Sequence, residues 1–528
     1  MTSAVPVTMR SPTAPAAGSL LERVLPLALP ALVMLVALLT VTPWPVGAYQ
    51  DDAIYTVLAK ALATGEGYRM INLPGAPHAT HYPPGYPFFL SLLWRLSPSF
   101  PGNIVLFKFA NAAWLGLAAL GAWAFARKRL NWRPLGSALV SAAGSLAIVV
   151  LLVTGVVLSE PMFMALLFPA LLLSERAVED GTPRYALAAG LACGLLALVR
   201  TLGGAILPAA LLVMLLRRQF RGAVVMAASA AVLLVPWQLW LNAWQGEIPP
   251  VLMGKYGAYG PWIAQGVQEG GMTFVREVVI ANVKSIQGFV GYLFMPISLA
   301  WPRAIAFVGV CSLAAIGLAV FAKRSPVTFL FLLAYAAVVV LWPFAPDRFV
   351  FAVWPLLTLC GFAGLVTIWR WSPTQGAGRA LRVAALASAA VLVSGFATYN
   401  VRGYRHEWWA SVQRDTGTRA KPMVEWVASR TEPSDVLMAD DDLIVYLYTG
   451  RRGTPTSTFR PSERLRAPSD SDNIAAVRSM IDTYTPRFYI TTSMPGQRAA
   501  EALTTGNAPL LRRYRMISNA YIYERITQ

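Results

Sequence analysis

Five charged side chains carry the chemistry open to this sequence: Asp51, Asp52, Glu160, Arg200 and Arg348. They stand in Tyr49-Gln50-Asp51-Asp52-Ala53-Ile54-Tyr55, Ser159-Glu160-Pro161, Arg200-Thr201-Leu202-Gly203-Gly204 and Pro346-Asp347-Arg348-Phe349, each at the edge of an apolar block. A well-placed carboxylate can accept a proton from a hydroxyl. A guanidinium is a flat, two-pronged donor that matches phosphate. Carboxylates and guanidiniums meeting at one membrane face suit a reaction on an anionic, lipid-borne substrate. Each motif also has a plainer reading. Asp51 and Asp52 can cap a short helix, whose positive end favours anions, and the other three can be local salt bridges or snorkelling residues.

The elements that must position these residues are membrane helices. Apolar residues make up 56% of the chain and charged residues 13%, against about 25% charged in soluble domains, and mean hydropathy is +0.52. The apolar residues gather in eleven blocks: 24–43, 104–126, 135–155, 161–175, 185–199, 202–216, 222–243, 303–322, 326–344, 349–369 and 382–400. A helix of about 20 residues crosses ~30 Å of hydrocarbon. The segment 284–300 reads as an interfacial helix, because Arg276, Glu277 and Lys284 interrupt its approach. With the N-terminus inside, the short inside segments hold 16 of the 44 Lys and Arg residues, and the outside segments before residue 401 hold 10 over longer loops. This is the positive-inside bias. The last 128 residues hold the other 18 with 14 acids, so the net charge of +18 reflects orientation and not a nucleic-acid site. Cys193, Cys311 and Cys360 fall within predicted spans and offer no disulfide framework.

The division expected is a disordered cytoplasmic tail over 1–22, a transmembrane region over 23–400 with its first outer loop over 44–103, and a soluble α/β domain over 401–528. In that first loop, Ile54, Leu58 and Leu62 have helical spacing, and Gly65 and Gly67 are its stops. The loop closes on His78-Ala79-Thr80-His81-Tyr82-Pro83-Pro84-Gly85-Tyr86-Pro87, where the prolines stiffen the backbone. Two His residues are a weak metal signal, since ligation usually needs three or four groups. In the last domain, Val436–Ala439 and Arg487–Thr491 read as strands, Ile474–Tyr484 as a helix, and Tyr514–Arg525 as a strand or hairpin. Asp440-Asp441-Asp442 reads as a solvated loop or helix cap, or as a ligand site at a strand end.

Taken together, these motifs resemble the GT-C superfamily of membrane glycosyltransferases, and within it the bacterial protein O-mannosyltransferase and aminoarabinose-transferase group (glycosyltransferase families 39 and 83). Asp51-Asp52-Ala53-Ile54-Tyr55 is similar to that family's first-loop Asp-Glu-x-x-Tyr, Tyr82-Pro83-Pro84-Gly85-Tyr86 to its x-Pro-Pro-Leu, and Ser159-Glu160-Pro161 to its Leu-Asp-Pro. Arg200 stands where the family has a basic residue in a Lys-Gly turn. The resemblance implies an all-α polytopic GT-C protein of about 11 transmembrane helices with a small extracytoplasmic α/β domain, in the cytoplasmic membrane. It implies transfer of a sugar, hexosyl or pentosyl, from a polyprenyl-phosphate donor to a glycan, lipid or protein acceptor on the outer face. Asp51 would be the base, Asp52 its orienter or alternate, and the transfer would invert the anomeric carbon.

The sequence departs from the pattern at Asp52, where Glu is usual, and at Tyr82, where relatives carry Lys or His. The donor phosphate would then rely on His81, Lys60, Arg69, Arg200 or Arg348 for positive charge, with Tyr55 and Glu160 completing the site. No cofactor is required by these residues, and a divalent metal is compatible with them. The rival reading is a transporter or flippase of lipid-linked sugars; such proteins usually keep charged sites near the bilayer midplane.

Overall fold

The computed structural model describes residues 20–374, 376–505 and 508–526. Leu-, Ala- and Val-rich runs form α1 (Leu20–Leu39), α2 (Asp51–Thr64), α3 (Gly85–Leu96), α4 (Ile104–Arg129), α5 (Pro134–Ser145), α6 (Ile148–Thr154), α7 (Glu160–Asp180), α8 (Pro183–Val199), α9 (Ile206–Leu216) and α10 (Phe220–Trp244). There follow α11 (Met253–Tyr256), α12 (Tyr259–Phe294), α13 (Ala300–Arg324), α14 (Pro326–Leu341), α15 (Asp347–Ala352), α16 (Trp354–Arg370), α17 (Gly376–Arg405) and α18 (Trp408–Arg430). Proline opens α5, α7, α8, α14 and α16, where its missing N–H costs nothing and its fixed φ suits a first turn. Gly65 ends α2 in the left-handed conformation at φ 85°, as its place after Ile54, Leu58 and Leu62 predicts.

All eleven apolar blocks are helical, but not all are long. Six helices have the length and composition to cross a membrane, and a seventh span is the pair α5–α6, bent by 59°. The blocks 185–199, 202–216, 326–344 and 349–369 fall on helices of 10–17 residues. At ~1.5 Å per residue these are shorter than the hydrocarbon core. The expected eleven spans are therefore six or seven by this measure. The chain is a multi-pass membrane protein, largely α-helical. Residues 20–22 of the expected tail belong to α1, and residues 1–19 lie outside the described residues. The segment 284–300 is not a separate interfacial helix up to residue 294. It continues α12, which kinks at Gly271 (φ 56°, ψ −150°).

The last part of the chain adds β1 (Leu437–Ala439), α19 (Asp442–Thr449), β2 (Gly453–Thr454), α20 (Asp470–Tyr484), β3 (Phe488–Thr491), α21 (Met494–Ala502), β4 (Leu511–Ile517) and β5 (Ala520–Arg525). They form one sheet of order β2-β1-β3-β5-β4, with β1 parallel to β2 and β3 and the β4–β5 hairpin antiparallel at the other side. The expected strands and helix are all present, and 511–525 resolves as a hairpin.

This domain grips the loops between the helices. Ile444 of α19 packs so tightly on Gly47 that a Cβ there would collide with it. Gly453 donates its N–H to the Asn72 carbonyl at 2.9 Å, and Trp262 Nε1 donates to the Phe459 carbonyl at 2.7 Å. Lys108 of α4, fully buried, donates to the carbonyls of Thr42 (2.8 Å) and Trp44 (3.0 Å) and to Gln413 Oε1 of α18 (2.6 Å).

Candidate active site

The first turn of α2 is prepared by a strained loop. Gly47 has φ 108° and Gln50 φ 62°, the second in a region that side chains disfavour. Asp52 holds this loop: its Oδ2 accepts from Gly47 N (2.7 Å) and its Oδ1 from Tyr49 N (3.1 Å). Burial pushes the Asp52 carboxyl up despite the two amides. Asp51, the neighbouring residue of the helix, makes its contacts outside this loop. Its Oδ1 accepts from the Tyr82 hydroxyl at 2.7 Å, and its Oδ2 pairs with Arg348 Nη1 at 2.9 Å.

Arg348, at the start of α15, joins Asp51 to a second carboxylate. Its Nη2 (2.9 Å) and Nε (3.2 Å) donate to Glu160 Oε1. Arg200, just past α8, pairs through Nη1 with the same oxygen at 2.9 Å and donates Nη1 to Ser159 Oγ at 3.1 Å. Glu160 is fully buried, and its Oε2 has no hydrogen-bond partner among the described residues. It lies in the first turn of α7, where the dipole favours an anion. The hydroxyls of Tyr55 and Ser159 are in hydrogen-bond contact at 3.2 Å. Tyr55 also packs edge-on against Tyr82 and Tyr86. Gly85 brings these parts together, because its Cα lies against the Leu198 carbonyl, too close for a Cβ.

Burial pushes the Asp51 carboxyl up, but the Arg348 guanidinium and the Tyr82 hydroxyl outweigh it and hold the group below the usual carboxylate range. His81 donates Nδ1 to the Gly257 carbonyl at 2.6 Å and packs on Tyr82 and Tyr259. Burial pushes it down to about 4, so near neutrality it is an uncharged ring.

An apolar cavity of about 740 Å³ adjoins this cluster, lined among others by Phe294, Tyr335, Val350, Trp354, Leu357 and Phe396. Tyr335 links the two: its ring lines the cavity while its hydroxyl donates to the Phe349 carbonyl at 2.7 Å. The Arg200 guanidinium stands 5.7 Å from the Phe349 ring.

No protein-family model and no curated protein matches the chain. Solved structures do. ArnT from Cupriavidus metallidurans bound to undecaprenyl phosphate superposes with TM-score 0.54 at 14% identity, over 96% of this chain and 98% of its own. The apo state of the same protein gives 0.52 over the same shares at 14% identity. An oligosaccharyltransferase from Archaeoglobus fulgidus aligns over 90% of this chain and 70% of its own, at 11% identity and TM-score 0.48. The chain shares the fold of ArnT.

Within that fold, Asp51, Tyr55, Tyr82, Glu160, Arg200 and Arg348 converge as expected. Asp52 is committed to the backbone of its own loop, an arrangement that fits the orienter of its two expected roles. Three other expected residues do not join the cluster. Lys60 lies 4.6 Å over the Tyr446 ring, beneath the C-terminal domain. Arg69 donates Nη1 to the Ala76 carbonyl at 3.0 Å and stays within its loop. His81 borders the site but brings no charge. Four residues not singled out also serve: Ser159; Tyr49, whose ring lies 5.5 Å from the Arg348 guanidinium; Tyr259; and Tyr335. Tyr256, Tyr259 and Trp262 fall at helical spacing in a loop segment, which is the one signal that pointed to Tyr259.

Asp440 accepts from Thr456, from Thr491 Oγ1 (2.9 Å) and from the Thr492 (2.8 Å) and Ser493 (3.0 Å) amides, so it is a strand-end cap. Among the described residues no group of three or more His, Cys, Asp or Glu side chains converges to hold a metal.

Proposed function

We propose that this protein transfers a sugar from a polyprenyl-phosphate donor to an acceptor hydroxyl or amine, with inversion and with Asp51 as general base. One observation carries the reading: Arg348 ties Asp51 to Glu160 beside an apolar cavity in a GT-C fold. The cavity suits the donor's tail, and Arg200 and Arg348 suit the phosphate, whose negative charge grows as it departs. The charge distribution of the loops supports an outer-face position for this end of the helices. Undecaprenyl phosphate is the molecule bound to ArnT, and the same class of lipid fits here. The donor sugar is a hexosyl or pentosyl group, and the acceptor is a glycan, lipid or protein.

The test uses membrane vesicles holding the full chain and radiolabelled polyprenyl-phosphate sugars. Transfer of label to an acceptor is expected, with Asp51→Asn lowering it by at least ~10²-fold while folded protein is retained. Movement of intact donor across the membrane without transfer would favour the flippase reading. Near-normal transfer by Asp51→Asn would remove Asp51 from its role.

A further inference from the structure

Two carboxylates and two guanidiniums make the cluster electrically self-satisfied. Asp51 has both oxygens engaged, by Tyr82 and Arg348, and the guanidiniums of Arg200 and Arg348 already have anionic partners. An arriving phosphate can be gripped by a guanidinium only if a carboxylate yields. The two arms of Arg348 differ in strength. The Glu160 arm is two N–H donors on a fully buried carboxylate. The Asp51 arm is one contact between side chains that are 22% and 26% exposed. A half-open pair is weakly held, whereas breaking a buried one is expensive. Glu160 also keeps a buried, unpartnered oxygen, Oε2, a ready anchor for a guanidinium that turns.

We propose that Arg348 exchanges partners during the reaction, leaving Asp51 for the donor phosphate, and that this exchange is what releases Asp51 to act as base. The inference rests on the glycosyl-transfer reading and deepens it. In the resting arrangement Asp51 is a poor base, since a cation and a hydroxyl hold its negative charge. After the exchange it keeps Tyr82, loses its nearest cation and gains an anion nearby. The other groups that act on it are Arg200 beyond α8, His81 before α3, Tyr259 of α12, and Asp52 and Tyr55 of its own helix; His81 is neutral and Arg200 stays on Glu160.

In the chemical step the acceptor oxygen or nitrogen forms a bond to the anomeric carbon while the bond from that carbon to the phosphate oxygen breaks. The electron pair leaves with the polyprenyl phosphate, whose added charge falls on Arg348. The acceptor proton goes to Asp51 Oδ2, the oxygen that Arg348 vacated. Base strength is thus switched on by the donor, and productive binding is ordered, donor before acceptor.

The experiment labels protonated carboxyls with a water-soluble carbodiimide and an amine across pH, and reads Asp51 by mass spectrometry. It uses the full chain in nanodiscs with and without undecaprenyl phosphate, and native mass spectrometry reports whether the lipid is bound. Bound lipid should move the Asp51 labelling midpoint upward by about one pH unit or more. In Arg348→Gln the midpoint should be high without lipid and respond less than half as much, and Arg348→Lys should restore part of the resting value. A wild-type midpoint that stays put or falls with lipid bound overturns the exchange and leaves the transfer reading standing. Absence of lipid binding overturns both.

Discussion

Tyr82 and Glu160 steady the two ends of Arg348's reach, and they do so by different physics. The Tyr82 hydroxyl is one donor to a half-open carboxylate. A hydrogen bond to a charged group contributes about 1.5–3 kcal/mol. Tyr82→Phe should therefore keep the fold and lower transfer by roughly 10- to 100-fold, read as kcat in the vesicle assay. Among the described residues, Glu160 is the sole carboxylate on Arg200 and one of two on Arg348. Glu160→Ala leaves buried guanidinium unpaired and should cost about 3–5 kcal/mol of stability, visible as a fall in thermal midpoint in detergent along with lost transfer. A fold as stable as the wild type would show that the pair is not held as described.

The segment between α2 and α3 works through a neutral histidine. The folded pKa of His81 lies near 4, below the ordinary value of about 6.5. The folded state thus binds fewer protons than the unfolded one across that interval. Its contribution is full above about 6.5 and is lost as pH falls through about 4, a change on the order of 3 kcal/mol. The stability of wild type over His81→Gln should shrink along that descent; a constant difference would contradict it. Much of this segment and its neighbours could be read in advance. The glycine stop of α2 follows from a local rule, and the meeting of Asp51, Glu160, Arg200 and Arg348 from their common place at one membrane face. The fate of Asp52 does not, because cap and catalyst look alike in a string of letters. What decides between them is the turn at 47–50, closed by Ile444 nearly four hundred positions on. Likewise Lys60 looks like a phosphate ligand until Tyr446 covers it.

The junction between the helices and the C-terminal sheet centres on Asp442. It accepts from the Tyr256 hydroxyl and from Asn72 Nδ2 (3.4 Å). Burial pushes it up to about 6, against the pull of Lys255 and the Tyr256 hydroxyl. Here the sign is opposite to that of His81. The folded state holds the proton more tightly, so the contribution is full below about 3.9 and is lost as pH rises through about 6. The stability of wild type relative to Asp442→Asn should fall over that rise and then level off. A difference that grows over the same rise would rule out a buried, proton-retaining carboxyl.

The wiring of this junction also bears on how the protein is made. Residue 47 rests on residue 444, residue 72 bonds to residue 453, and the buried ammonium of Lys108 needs residue 413. A chain emerging from the ribosome delivers its earliest loop long before the parts that brace it. Until the final quarter has been synthesised and folded back, the turn that presents Asp51 lacks its braces. A half-finished or truncated copy therefore lacks these braces, and it is expected to show no transfer in the vesicle assay.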